Sequence, residues 1–317
     1  MHSNAADAAA VERMFEFLLV AVVGLNVWAD FIDRRAAFRS DAAALSLWTT
    51  IVQFLLVMPL FGMAGRLTPT QIGVCALVGA FTALARIPWY RALSTPGQKL
   101  SRLAPFTRLS SVIVVILAFT LLGEAFSLNK LVGALLMVGG ALVISLDRSF
   151  IGFRDFFVGN RAVLLVLIFA SSLAVISVFY KYMLNAGVPI ITTYFFLKLF
   201  QCAASVAHGY HKGGLGRSFA AILDLQLFVR ARALQTLAAF LYLFVLRHVD
   251  LSTVEPIAAA IGPLLYLAID KISEWRANGA PPQAAGVASP QRQSKREYVA
   301  VLGTAVTVLG LYFVVKG

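Results

Sequence analysis

Five polar side chains, Tyr194, Lys198, Gln201, Ser205 and His208, recur at intervals of three and four residues in an otherwise apolar stretch. At about 100° per residue in an α-helix, that rhythm confines them to an arc of roughly 80°. Lys198 falls near the middle of the stretch, too deep for its ammonium to snorkel easily to the headgroups of a bilayer. An ionisable group in a membrane span is costly and marks a functional position by default. The seam therefore supports two chemistries: attraction of an anionic group into the interior, or a paired or deprotonated amine that holds helices together.

Four arginines invite the same comparison. Arg86, Arg108, Arg230 and Arg232 lie within the ends of apolar stretches, all on one predicted side of the chain's topology. A guanidinium can grip a carboxylate or phosphate through two parallel hydrogen bonds, so the four together would make a basic vestibule. The plainer reading is ordinary topological arginine with its head in the lipid headgroups. The interior offers few acids, chiefly Asp30 and Glu255, so a pathway through it would be electropositive and would draw anions rather than cations. Glu255 adjoins Pro256 and suits a coupling carboxylate, whereas Glu124 suits a cap on the turn that follows it. Pro105 and Pro256 each remove one helical hydrogen bond. They stand as candidate hinges, against the alternative that a proline in a first helical turn is harmless.

Signatures of catalysis and of metals are missing. His208 and His211 form an HxxH without an obvious third ligand, weak grounds for zinc. There is no Gly-rich phosphate loop, GxSxG elbow or HExxH. Cys75 and Cys202 fall inside predicted spans and read as small apolar residues. The reading is of a non-enzyme without cofactor or metal. The net charge of +12 is scattered over short connections rather than gathered in a nucleic-acid-binding domain.

The elements that must position these groups follow from composition. Of 317 residues, 60% are apolar and 13% charged, against roughly 45–50% and about 25% in soluble domains. A span needs about 20 largely apolar residues, and such runs recur almost to the end. Ten helices are predicted: Met14 to Asp33, Ala43 to Met63, Gln71 to Leu93, Leu103 to Leu122, Ser127 to Leu146, Arg161 to Leu184, Val188 to His208, Gln226 to Arg247, Thr253 to Ile272 and Glu297 to Val315. The first is read as a span rather than a removable signal. The fold class is an all-α polytopic membrane protein. The Pro-, Ala- and Gln-rich segment near 276–296 is predicted to be a disordered loop.

The two halves, 1–150 and 151–317, match weakly but in order. Pro105 and Glu124 have counterparts in Pro256 and Glu274, and Gly133 and Gly140 in Gly303 and Gly310. Each glycine pair makes a flat strip on one helix face where another backbone can come close. Five helices per unit is an odd number of crossings, so the second copy is inverted relative to the first, giving a 5+5 inverted repeat.

The run RLAPFTRLSSVIVVILAFTLLGEAFSLNKLVGALLMVGGALVISL, Arg102 to Leu146, resembles the EamA-type repeat of the drug/metabolite transporter superfamily. The second copy, Leu246 to Val315, is similar but has IDKISE where the first has LLGE. The resemblance implies a central cavity lined mainly by helices 1, 3, 4, 6, 8 and 9, with helices 5 and 10 behind. It also implies a secondary transporter of a small organic solute in the plasma (inner) membrane, working by alternating access; the net basic interior points to an anionic or zwitterionic solute. In four-helix multidrug relatives a membrane Glu stands about two turns before a basic residue. If Arg34 is that residue, the position here is Asn26, which cannot titrate, and Asp30 one turn on is the available substitute. A membrane scaffold or envelope-complex subunit, and a polyprenyl-lipid flippase, are the competing functions.

Orientation divides two rules. Most loop Lys and Arg, among them Arg34, Arg35, Arg39, Arg148, Arg154 and Arg161, follow odd-numbered helices. Positive-inside logic then places both termini outside the cytoplasm, whereas the resemblance implies that they lie within it.

Overall fold

Local signals start and stop the helices where the apolar runs begin and end. The Asp41 carboxylate accepts the backbone N–H groups of Ala43 (2.9 Å) and Ala44 (3.2 Å), opening one helix. Thr68 and Gln71 cap each other reciprocally ahead of Pro69, opening the next. Gly187, at φ +75°, closes another: its N–H reaches the Leu184 carbonyl, and that of Val188 reaches Met183, both at 3.0 Å.

The structure is a computed structural model and describes residues 3–38, 40–95, 103, 106–145, 161–211, 225–278 and 303–314. Among these residues there are ten helices and no strands: α1 (Ser3–Ala37), α2 (Ala42–Val57, continued by a 3-10 turn, Met58–Met63), α3 (Pro69–Leu93), α4 (Leu109–Leu121), α5 (Leu128–Ser145), α6 (Arg161–Asn185), α7 (Ile190–His211), α8 (Leu225–His248), α9 (Leu251–Asn278) and α10 (Gly303–Val314). Six of them, α1 from Met14, α2 with its 3-10 turn, α3, α6, α7 and α8, are long and apolar enough to cross a bilayer. The other four are shorter apolar helices. The protein is thus a helical, multi-pass membrane protein. Pro105 and nearly all of the segment near 276–296 lie outside the described residues; only the last turn of α9 reaches into that segment.

Burial is distributed as a bilayer requires. Phe17, Leu55, Leu77, Leu121, Leu164 and Tyr312 face outward, while Thr49, Gln53, Thr82, Lys198, Gln201 and Arg232 are buried among the helices. Lipid satisfies the apolar exterior, and polar groups must find one another inside.

α1 packs chiefly on α8, and α3 on α6 and α7. α2 lies against α7, α4 against α6 and α9, and α9 against α1 and α5. α2 also meets α3 and α8, α4 meets α5, and smaller contacts join α1 to α3 and α6 to α8. α5 and α10 cross antiparallel with their glycine strips face to face. A Cβ at Gly133 would stand 2.7 Å from the Gly310 carbonyl, and one at Gly140 would stand 2.6 Å from that of Gly303. The two strips predicted separately therefore serve a single contact, one backbone against the other.

Candidate functional site

The seam on α7 forms the centre of a buried hydrogen-bond chain. Lys198 Nζ donates to Gln53 Oε1 and to Gln201 Oε1, both at 2.9 Å, and lies 5.1 Å from the centre of the Tyr194 ring. Gln201 Nε2 donates to Thr82 Oγ1 (2.7 Å), and the Thr82 hydroxyl donates to the Val78 carbonyl (2.7 Å). Gln53 Nε2 donates to Gln235 Oε1 at 3.0 Å. α7, α2, α3 and α8 are stitched together by this chain. Both hydrogen-bond acceptors of Lys198 Nζ are neutral amide oxygens, so no carboxylate balances a charge there. α2 and α7, which the resemblance leaves out of the cavity lining, supply most of it.

Arg86 on α3 is half-buried and stands within electrostatic reach of Lys198, Tyr180 and Tyr194. Among the described residues, no carboxylate lies within ion-pair distance of Arg86 or Lys198. Arg86 and Lys198 are thus basic residues of the interior without an acidic partner among the described residues. Farther along the seam, Ser205 and His208 line a small gap between α2 and α3 with Ser46 and Ala83.

Arg232 departs from the vestibule expected of it. It is fully buried and ion-paired with Asp33 of α1, whose side chain is 2% exposed. The Thr49 and Tyr90 hydroxyls each lie 3.4 Å from Arg232 Nη1 and hydrogen-bond one another at 2.9 Å, and Tyr90 also donates to Asp33 Oδ2 at 3.4 Å. The pair joins α8 to α1, with α2 and α3 closing around it. Arg230, two residues earlier, is exposed on the outer surface, so the two arginines share no site.

Asp33 is the residue that sequence reasoning missed. The apolar run places it at the end of helix 1, but α1 continues to Ala37 and Asp33 is buried. Its spacing of three from Asp30 was the available signal, because it places both carboxylates on one helix face.

Asp30 itself accepts a hydrogen bond from the Tyr266 hydroxyl of α9. Arg108 lies within electrostatic reach of Asp30 and of Tyr266, with its guanidinium laid across Gly262 where any Cβ would collide with it. Arg108 Nε is buried without a hydrogen-bond partner. Asn26 lies half-buried one turn before Asp30.

Glu255 forms a separate cluster. Its Oε1 accepts the Ser177 hydroxyl at 2.6 Å and the Tyr242 hydroxyl, and those two hydroxyls are 3.2 Å apart. The next residue, Pro256, is the sixth of α9 rather than part of its first turn, so the Ser252 carbonyl loses its helical donor. Among the described residues, no basic side chain lies within ion-pair distance of Glu255.

Glu124 does not cap its own turn, as expected, but reaches the other half of the chain. Its two carboxylate oxygens accept the N–H groups of Leu251 (2.9 Å) and Ser252 (3.0 Å) at the start of α9, where the helix dipole favours negative charge. Lys181 of α6 donates to the carbonyls of Leu246 (2.8 Å) and Val249 (2.9 Å) at the end of α8. The α8–α9 corner is gripped from both sides by charges of the appropriate sign.

No protein family's sequence profile matches the chain, and no curated protein sequence matches it. Solved structures do. One, described only as the crystal structure of a protein, superposes with a TM-score of 0.60 at 16% identity, over 92% of this chain and 98% of its own. At that identity the likeness is one of fold, and it runs nearly end to end.

Proposed function

We propose that the protein is a secondary carrier of the drug/metabolite type, an EamA-like 5+5 inverted repeat in the plasma (inner) membrane. It moves a small organic solute with an acidic group by rocking its two halves about a central site. The repeat is supported by the packing. Advancing every helix number by five turns the α1–α8 contact into α6–α3, α1–α9 into α6–α4 and α1–α3 into α6–α8, and leaves α2–α7 and α4–α9 unchanged. Two inverted copies related by a twofold axis in the membrane plane would have this property.

The observation that carries the choice of solute is that Arg86 and Lys198 lack acidic partners among the described residues. Lys198 is buried and Arg86 half-buried, and among the described residues neither has a carboxylate within ion-pair distance, whereas Arg232 already has one in Asp33. An anionic group of the solute would supply the missing charge, and the low-dielectric surroundings strengthen that attraction.

The test is transport by purified protein in liposomes. Uptake or exchange of organic acids or amino acids, lost with Lys198→Gln and Arg86→Gln while both variants remain folded, is the expected result. Protein that translocates neither solute nor polyprenyl lipid across a broad panel would instead be a scaffold.

A further inference from the structure

We infer that Ser177 of α6, Tyr242 of α8 and Ser252 and Glu255 of α9 make a binding site for a small monovalent metal cation, sodium. The site stands on its own geometry, whereas its use as a coupling ion rests on the carrier reading. Glu255 Oε1 accepts the Ser177 hydroxyl at 2.6 Å and the Tyr242 hydroxyl, and those two hydroxyls are 3.2 Å apart. Three helices are thus joined around one carboxylate by direct hydrogen bonds.

The cluster holds more oxygen acceptors than it satisfies. Among the described residues the second carboxylate oxygen, Oε2, receives no hydrogen bond. Ser252 stands three residues before Glu255, which puts both on one face of α9. Its hydroxyl is fully buried without a partner, and Pro256 removes the N–H that its carbonyl would otherwise accept. Buried polar groups left unmet cost free energy. Ser177 and Tyr242 give their protons to Oε1 and so keep lone pairs for an ion.

The donor set selects the ion. Every ligand is an oxygen, which suits hard cations and not the metals that favour thiolate or imidazole. One carboxylate neutralises a monovalent ion, whereas a divalent ion would keep a net charge in the low-dielectric interior. The close spacing of the hydroxyls fits sodium better than the larger potassium. A bare proton would occupy one acceptor and leave the others unmet. Among the described residues no basic side chain lies within ion-pair distance of Glu255. Lys181, one turn beyond Ser177 on α6, spends its ammonium on the Leu246 and Val249 carbonyls. The positive end of α9 is already covered by Glu124. Carbonyls freed in interrupted membrane helices coordinate such ions in other carriers.

The test is thermal unfolding of the purified full-length protein in detergent, in sodium, potassium, calcium or choline chloride at equal ionic strength. An ion that binds only the folded state raises the melting temperature as its concentration rises. Sodium should do so relative to choline, and potassium and calcium should bind roughly tenfold more weakly or not at all. Glu255→Gln, which keeps the size of the side chain, should lose the sodium response while melting in choline as the wild type does, which shows that it is folded. Ser177→Ala and Ser252→Ala should each raise the half-saturating sodium concentration several-fold. In liposomes a sodium gradient should drive solute uptake by the wild type and not by Glu255→Gln.

Equal melting temperatures in sodium and choline, or a sodium response that survives Glu255→Gln, overturn the site. A response to calcium in place of sodium, or to pH alone, makes Glu255 the seat of a divalent ion or a proton and overturns the sodium assignment. Sodium binding by a protein that transports nothing supports the site and overturns the carrier reading. Solute transport with no sodium response in either assay overturns the site and leaves the carrier reading intact.

Discussion

Arg232 and Asp33 hold α8 to α1 through a charge pair with almost no access to solvent. Removing one partner strands the other. Arg232→Leu or Asp33→Asn should therefore lower unfolding stability by about 3–5 kcal/mol, measured by thermal or denaturant unfolding in detergent. The double variant Arg232→Leu/Asp33→Asn should recover much of that loss, since no unpaired charge remains. Arg108 answers to a different test. With Nε unpartnered and its head over Gly262, Arg108→Gln should weaken solute binding at unchanged melting temperature, whereas no change in affinity would make it a packing residue. The sequence marked Arg86, Arg108, Lys198 and Arg232 alike as charges in spans, because periodicity reports a face and not a partner. Which of them is neutralised depends on Asp33, nearly two hundred residues from Arg232, and no local pattern encodes that pairing.

Helices are where the sequence spoke most directly. Hydropathy alone located ten, with most ends within a few residues, because a bilayer demands long apolar runs and connections interrupt them with charge; among the described residues six of the ten are long and apolar enough to cross it. Helix 8 kept its full length despite Arg230 and Arg232: one points outward and the other is paired. The glycine spacing in α5 and α10 was equally plain, although only the structure joins the two strips. Gly140→Leu should force those helices apart, since its Cβ would already stand 2.6 Å from the Gly303 carbonyl. The neighbouring Gly139→Ala, with nothing within 4 Å of its Cβ, should be tolerated. Melting temperatures of the two variants make the comparison. The role of Glu124 was misread for a reason of scale, because its partners, Leu251 and Ser252, belong to the other half of the chain. Glu124→Ala should cost roughly 0.5–2 kcal/mol, the usual worth of a lost N-cap. Proteolysis or hydrogen exchange should show the loss concentrated at the α8–α9 corner.

For the whole molecule, paired prolines and glycines are visible in the sequence, but the packing of α1 on α8 and of α3 on α6 and α7 is not. Contacts between helices distant in sequence have no footprint in one chain's composition. Orientation is a property of the same scale. Arg34 and Arg35 close α1, Arg91 lies in the last turn of α3 and Arg161 opens α6, all on one side of the bundle. Positive-inside logic assigns that side to the cytoplasm. A C-terminal fusion should then be phosphatase-active and fluorescence-dark, and the reverse would mean that these arginines face outward. The α5–α10 crossing has a mechanical consequence if the halves rock. Two backbones that meet at glycines, flanked by the side chains of Met137, Thr307 and Val314, roll on one another more readily than they part, which makes this crossing an axle. A covalent tether across it should leave the transport cycle running. A tether across α2 and α7, where Gln53 meets Lys198, should hold the halves in the arrangement seen here.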